Sequence, residues 1–279
     1  MKEIAAERLK PIRLQPRDLK IMSLMHEYPF LTMQDVKDLF WKGSGICNHS
    51  ARLRLLEKHG YIERLEVMDS GDPAFRLSHK GCVLLRRMGQ VKPEKRYRRK
   101  AYANQFNHDK LLGRILRRFS SQPFVAFTET EEDIRVRYRQ KVEAFRTGYD
   151  EFKIPDGRIV LEASSGIQIG VAIELELTLK SRRSYESIFS DYQKLSDWQI
   201  LLYIVDNPAS AKRLSEICEE VFLERGGGTA LFENAPVFIT TVDQVMNAPF
   251  DGTWSVRGKA VKLSEIVNNW PFSNPYGAV

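Results

Sequence analysis

The sequence predicts a mixed α/β (α+β) protein with two domains, and three features support this prediction. With 279 residues, the chain is long enough for two ordinary domains. Residues 1–90 contain short helical patterns and one strand pair, whereas residues 105–279 contain long apolar strands between amphipathic helices. A basic segment, residues 91–104, separates the two parts. The composition, 43% hydrophobic and 28% charged, is typical of a globular protein.

Residues 1–90 begin with three short helical patterns, in which apolar side chains recur every three or four residues. Thr32 can cap the second helix, and the third begins at Asn48 or Ser50 and ends at Gly60. After Gly60 the pattern alternates, which predicts a strand, a turn, a returning strand and then a fourth helix. The predicted helices cover residues 16–28, 33–40, 48–60 and 82–88, and the strands cover 61–67 and 74–77.

Three helices, a hairpin and a closing helix make up a winged helix-turn-helix. The phrase L-x-x-L-x-x-x-G-Y-I, followed by F-R-L-S-x-x-G, resembles the wing of many bacterial winged-helix proteins. In such proteins the third helix enters the major groove of double-stranded DNA, and the wing reaches flanking phosphates or the minor groove. The resemblance therefore implies a DNA-binding domain, and a winged helix that makes only protein contacts is the alternative.

The third helix supplies the side chains that we expect to touch DNA. Its helical period turns Leu53, Leu55 and Leu56 inward and leaves the polar side chains outside. The expected DNA contacts from this helix are Asn48, His49, Arg52 and Arg54.

Positive charge is concentrated between the two predicted domains. Residues 92–118 contain ten Lys or Arg and two acidic residues, a net +8 in a chain whose total is +7. A concentrated cationic patch attracts a polyanion, so we expect the linker, residues 91–104, to lie on the DNA backbone. A linker that is basic only for solubility is the alternative. The linker cations predicted to bind DNA are Arg96, Arg98, Arg99 and Lys100.

The second domain is predicted to contain a mixed sheet with acidic residues on one strand. Asp156 lies in a Pro-Asp-Gly turn, and the β-rich run after Gly166 carries Glu174, Glu176 and Lys180. Side chains two apart on a strand point the same way, so these three would share one face. The other predicted helices cover residues 108–119, 134–146, 181–196 and 209–222, with strands at 124–127, 152–161, 167–179, 198–205 and 237–241 and an acidic loop at 129–133.

Pro155-Asp156, followed eighteen residues later by Glu174-Leu175-Glu176 and then by Lys180, resembles a variant PD-(D/E)xK core, the restriction-endonuclease-like nuclease fold. Together with the winged helix and the SDYQKL segment, residues 16–245 resemble the replication-relaxation family of plasmid and mobile-element proteins, which is related to MobC-type mobilisation relaxases. The resemblance implies a divalent metal, Mg²⁺ or Mn²⁺, held by oxygen ligands from Asp156, Glu174 and Glu176.

The chain departs from the nuclease pattern at Glu176, where the pattern has lysine. Either Glu176 acts as a third acid while Lys180 supplies the positive charge, or the site has lost its reaction. The predicted catalytic residues are Asp156, Glu174, Glu176 and Lys180, with His108, Glu129 and Glu131 as lower-ranked additions. Tyr185 and Tyr192 are the first candidates for a tyrosine nucleophile.

Three function classes compete on this sequence. The first is a metal-dependent DNA-nicking enzyme that acts at a plasmid or mobile-element origin, with mobilisation or replication proteins as partners. The second is an origin- or operator-binding accessory protein with a degenerate nuclease fold. The third is a ligand-responsive regulator, against which the cluster of like charges argues, because such a cluster is costly without a cation.

Other chemistries and compartments have less support. The three scattered cysteines do not suggest a disulfide framework or a zinc site and point to the cytoplasm. The chain has no GxxxxGK[ST] loop for ATP. It also has no apolar run long enough to suggest a membrane span and no apolar N-terminal stretch like that of a secretory signal.

Overall fold

The computed structural model describes residues 11–42, 47–65, 71–91, 105–145, 153–193, 198–224 and 236–269. Its contacts divide the chain into two units, Met1–Lys110 and Leu111–Val279. The first unit has a small antiparallel sheet with helices, and the second has a seven-stranded mixed sheet with helices, so the predicted mixed α/β class is confirmed. Within these described ranges, none of the helices combines the length and the apolar character that crossing a bilayer requires.

The first unit follows the predicted order of helices and hairpin, with one short strand added. Thr32 caps α2 as predicted, since its hydroxyl accepts a hydrogen bond from the Asp35 amide at 3.1 Å while the Asp35 carboxylate accepts one from the Thr32 amide at 3.0 Å. The helix α5 (Phe106–Ser120) crosses the boundary between the units. The elements before it are α1 (Pro16–Glu27), β1 (Leu31–Thr32), α2 (Met33–Phe40), α3 (Cys47–Lys58), β2 (Ile62–Leu65), β3 (Ala74–Leu77) and α4 (His79–Arg87).

The sheet of the first unit has the order β1-β3-β2, with all pairs antiparallel. The sequence predicted the β2–β3 hairpin and missed β1, because two residues show no alternation by themselves. The helices pack on this sheet around a core that includes Ile21, Met22, Leu53, Leu56 and Phe75. This core fixes the orientation of α3 and therefore decides which of its side chains face solvent.

The second unit contains the rest of α5 and continues through seven strands and five further helices over the described residues. Its strands are β4 (Val125–Thr130), β5 (Gly157–Glu162), β6 (Gln168–Glu176), β7 (Ile200–Val205), β8 (Val237–Thr241), β9 (Thr253–Val256) and β10 (Lys259–Lys262). Its further helices are α6 (Glu131–Phe145), α7 (Arg182–Gln193), α8 (Pro208–Glu224), α9 (Val242–Asn247) and α10 (Leu263–Asn268).

The large sheet has the order β10-β9-β8-β7-β6-β5-β4. The strands β4, β5 and β6 are antiparallel neighbours, and β6, β7 and β8 are parallel neighbours. The central strand β7 is apolar and buried throughout, as expected for a strand covered on both faces. Pairing of Gly157 with Ile173 and of Glu174 with Tyr203 brings the start of β5 and the end of β6 to the same part of the sheet.

Two sequence predictions about the second unit are wrong, and a third region had no predicted element. The strand β6 ends at Glu176, so Lys180 does not continue its polar face. The predicted acidic loop at 129–133 is the end of β4 and the first turn of α6, where three acidic residues favour the positive end of the helix dipole. Residues 253–268, for which the pattern gave no element, form the β9–β10 hairpin and α10.

Candidate functional site

The solvent-facing side of α3 carries polar side chains at helical spacing. Asn48, Ala51, Arg54 and Lys58 are exposed, at intervals of three or four residues that place them along one face. Leu55 lies beside them with 37% of its surface exposed, so the prediction that it faces inward is wrong. Leu53 and Leu56 are fully buried, as predicted.

Two of the four expected DNA contacts on α3 have different surroundings from those predicted. His49 is only 4% exposed, and its ring centroid lies 6.2 Å from that of Trp41, so the expectation that it faces outward is wrong. The Arg52 guanidinium is held by the buried Asp18 carboxylate of α1, with Nε 2.9 Å from Oδ1, and Nη2 also donates to the Arg13 carbonyl at 2.9 Å. Asn48 and Arg54 are therefore exposed as expected, whereas Arg52 attaches α3 to α1.

Sequence reasoning missed two exposed arginines near the start of α1. The backbone of Arg13 contacts Arg52, and the Arg17 guanidinium lies 4.5 Å from the centroid of the Trp41 ring. Both side chains are exposed. Residues 11–16 also line a cavity together with Arg52 and Leu55 of α3 and with His59, which directly follows that helix. No local pattern signals this neighbourhood, because residues about forty positions apart in the sequence form it. The expected linker contacts Arg96, Arg98, Arg99 and Lys100 lie outside the described residues.

In the second unit, the sheet register brings Asp156 and Glu174 near each other, as the resemblance to the nuclease pattern implied. Asp156 immediately precedes β5, and its Oδ2 accepts a hydrogen bond from the Leu175 amide of β6 at 2.8 Å. Glu174 points to the face of the sheet shared with Tyr203, its partner on β7. The two carboxylates are close enough that the charge of Asp156 raises the pKa of Glu174.

Glu174 is buried, with 4% of its surface exposed, and two groups of the chain bind its carboxylate. Lys153 places its Nζ 3.0 Å from Oε1 and 3.2 Å from Oε2, and the Tyr192 hydroxyl donates a hydrogen bond to Oε1. Burial, followed by the charge of Asp156, raises the pKa of Glu174 to about 7. Lys153 and Tyr192 lower that pKa but do not outweigh burial.

Glu176 and Lys180 meet more directly than the sequence predicted. An extended strand would separate them by roughly 13 Å. Because β6 ends at Glu176, the chain turns, and the Lys180 ammonium forms an ion pair with Oε2 of Glu176. The backbone amide of Lys180 also donates to the Tyr185 hydroxyl at 3.2 Å. The two residues therefore form a pair of their own at the end of the strand.

The lower-ranked candidates lie in three different environments. Glu129 forms ion pairs with Arg158 at 2.7 Å and with Arg137 at 3.4 Å. Glu131 begins α6 and forms an ion pair with Arg135 at 2.5 Å. Its charge also contributes to raising the pKa of Lys153. His108 belongs to the first unit, and its Nδ1 lies 3.3 Å from a carboxylate oxygen of Asp109.

The two tyrosines predicted as possible nucleophiles are both buried. Tyr185 has no exposed surface and Tyr192 has 4%, so in this arrangement neither hydroxyl can meet a DNA phosphate. Burial raises the pKa of each, that of Tyr192 strongly, and keeps both hydroxyls protonated. Tyr192 acts here as a hydrogen-bond donor that positions Glu174.

The carboxylates do not fit a divalent metal ion in this arrangement. Over the described ranges of the chain, no three His, Cys, Asp or Glu side chains come together as a ligand set. Glu174 is already bound by an ammonium and a hydroxyl, and Glu176 by another ammonium. A metal ion, which prefers several oxygen ligands at 2.0–2.6 Å, would have to displace Lys153 to reach both Asp156 and Glu174.

Comparison with known proteins finds no family model, no curated protein and no solved structure that matches this chain.

Proposed function

We propose that this chain is a DNA-binding protein whose first unit is a winged helix-turn-helix. The exposed face of α3, with Asn48, Arg54 and Lys58, is the observation that carries the proposal. Asn can pair with the edge of adenine, Arg with that of guanine, and Lys with a phosphate. The unit also has the α-β-α-α-β-β order and the β1-β3-β2 sheet that a winged helix needs, and the net charge of +7 favours a polyanionic partner.

Double-stranded DNA binding by variants of α3 tests this proposal. Fluorescence anisotropy with a duplex from the chain's own genetic neighbourhood measures the affinity of wild type, Arg54→Ala and Lys58→Ala. We expect loss of a base contact at Arg54 to weaken binding about tenfold or more. Loss of a phosphate contact at Lys58 should reduce the slope of log affinity against log salt concentration by about 1. The control is Arg213→Ala, an equal loss of charge at an exposed position of α8. Equal affinities for all four proteins would refute the role of α3.

The order of strands and helices in the second unit supports the proposal that it has a nuclease-like fold. Its antiparallel β4, β5 and β6, followed by α7 and the parallel strand β7, repeat the strand and helix order of a PD-(D/E)xK core, with α6 inserted between β4 and β5. Asp156 and Glu174 occupy the adjoining ends of β5 and β6, where that fold carries its acids. These features support kinship with the replication-relaxation proteins of plasmids and mobile elements.

A second candidate function is metal-dependent nicking of DNA at a plasmid or mobile-element origin, in company with mobilisation or replication proteins. The meeting of Asp156 and Glu174, which lie eighteen residues apart in the sequence, is the observation that favours it. The test is conversion of a supercoiled origin plasmid to open circles with Mg²⁺ or Mn²⁺, by wild type and by Asp156→Asn. Nicking by wild type alone would support the enzyme. Binding without nicking under either metal would leave an origin- or operator-binding accessory protein.

A further inference from the structure

Lys153 is a half-buried cation that the nuclease pattern does not account for. Its Nζ contacts both oxygens of Glu174, at 3.0 and 3.2 Å, and also donates to its neighbouring carbonyl of Ile154 at 3.3 Å. The negative charges of Asp156 and Glu131 also favour the protonated ammonium and raise the pKa of Lys153. Glu174, at the end of β6, thus holds the lysine directly, while Asp156, the residue before β5, and Glu131, at the start of α6, add to the negative potential around it.

The position of this ammonium is the one that a shared cation would take. A cation gains most where several carboxylates act on it, and burial of Glu174 weakens the screening by water. A divalent ion bound to Glu174 and Asp156 would lie within a few ångströms of Lys153 Nζ, and the two positive charges would repel. The ammonium and the ion therefore cannot both occupy this position.

We infer that Lys153 fills the cation position beside Glu174 and Asp156 and competes there with divalent metal ions. The inference rests on the second candidate function, because it concerns the same acidic cluster. A metal ion enters only when the Lys153 side chain leaves Glu174. The long, flexible stem of lysine allows such a movement, whereas the strands that carry the acids are fixed by the sheet.

Mn²⁺ binding to the full chain tests this competition without any DNA. Isothermal titration compares wild type with Lys153→Met, which keeps an unbranched side chain of nearly the same length and removes its charge. We expect Mn²⁺ to bind Lys153→Met about tenfold more tightly or better, because the repulsion and the ion pair that must break are both gone. The matched control is Lys212→Met on the exposed surface of α8, which should bind Mn²⁺ as wild type does. Thermal unfolding of each protein confirms that it is folded.

The position of the bound ion is tested by a second substitution, Asp156→Asn in the Lys153→Met background, which should abolish the gained affinity. Equal or weaker Mn²⁺ binding by Lys153→Met would overturn the competition and leave the metal site standing. If neither protein binds Mn²⁺ at millimolar concentration, both the competition and the metal-dependent candidate fail. The proposal for DNA binding by α3 is unaffected by either outcome, so the failures can be told apart.

Discussion

The replacement of Glu174 by Gln tests the burial of this carboxylate through the pH dependence of stability. Burial and the charge of Asp156 raise the pKa of Glu174 from 4.5 to about 7 in the folded protein. A raised pKa means that folding favours the protonated acid. Its stabilising contribution is thus complete below about pH 4.5 and is lost as the pH rises through about 7. At 1.36 kcal/mol per pH unit, the loss is about 3 kcal/mol.

Glu174→Gln resembles the neutral acid and should remove this dependence. Urea unfolding between pH 5 and pH 8.5, in buffer with a chelator, gives the free energy of unfolding of each protein. Because the range begins slightly above pH 4.5, we expect wild type to lose about 2.5 kcal/mol more than the variant over it. Glu162→Gln, at an exposed position of β5, is the control and should follow wild type. A parallel pH profile for wild type and Glu174→Gln would refute the reasoning, since the carboxylate would then be ionised at little cost in the folded state.

Two further substitutions test the buried polar contacts of each unit by urea unfolding at pH 7. Tyr192→Phe removes the hydroxyl that donates to the buried glutamate, and we expect the free energy of unfolding to fall by about 1–3 kcal/mol; an unchanged midpoint would contradict that contact. Arg52→Met leaves the fully buried Asp18 without its ion-pair partner, and we expect a loss of about 3 kcal/mol. Asp18→Asn in the same background should restore part of that loss, and no restoration would show that packing rather than charge is at stake.

Elements with strong local signals could be predicted from the sequence. The capping residue Thr32, the strand Ala74–Leu77 and the strand Val237–Thr241 are confirmed as predicted. The end of β6 could not be predicted in this way. The alternating pattern runs to Lys180, but the strands on either side of β6 make their last pairs with it at Gly157 and Val205. A strand ends where its partners end, and that information lies elsewhere in the chain.

The same limit applies to the side chains of the two sites. The helical period of α3 correctly predicted that Leu53 and Leu56 are buried. It could not show that α1 carries the buried Asp18 that binds Arg52. In the second unit, the resemblance to the nuclease pattern implied that Asp156 and Glu174 lie near each other, and Asp156 does bind the backbone next to Glu174. Local patterns describe one element at a time, so a contact between elements is predicted only where a known motif already encodes it.

Lys153 shows what this limit means for function. On sequence alone, three acids in one cluster favour a bound metal ion, because like charges need a cation. The structure supplies cations from the chain itself, Lys153 for Glu174 and Lys180 for Glu176. Charge compensation therefore does not separate the two candidate functions, metal-dependent nicking and DNA binding without cleavage. The deciding quantity is the free energy needed to move Lys153 from Glu174 relative to that gained by a metal ion, and Mn²⁺ binding by Lys153→Met measures the balance of the two.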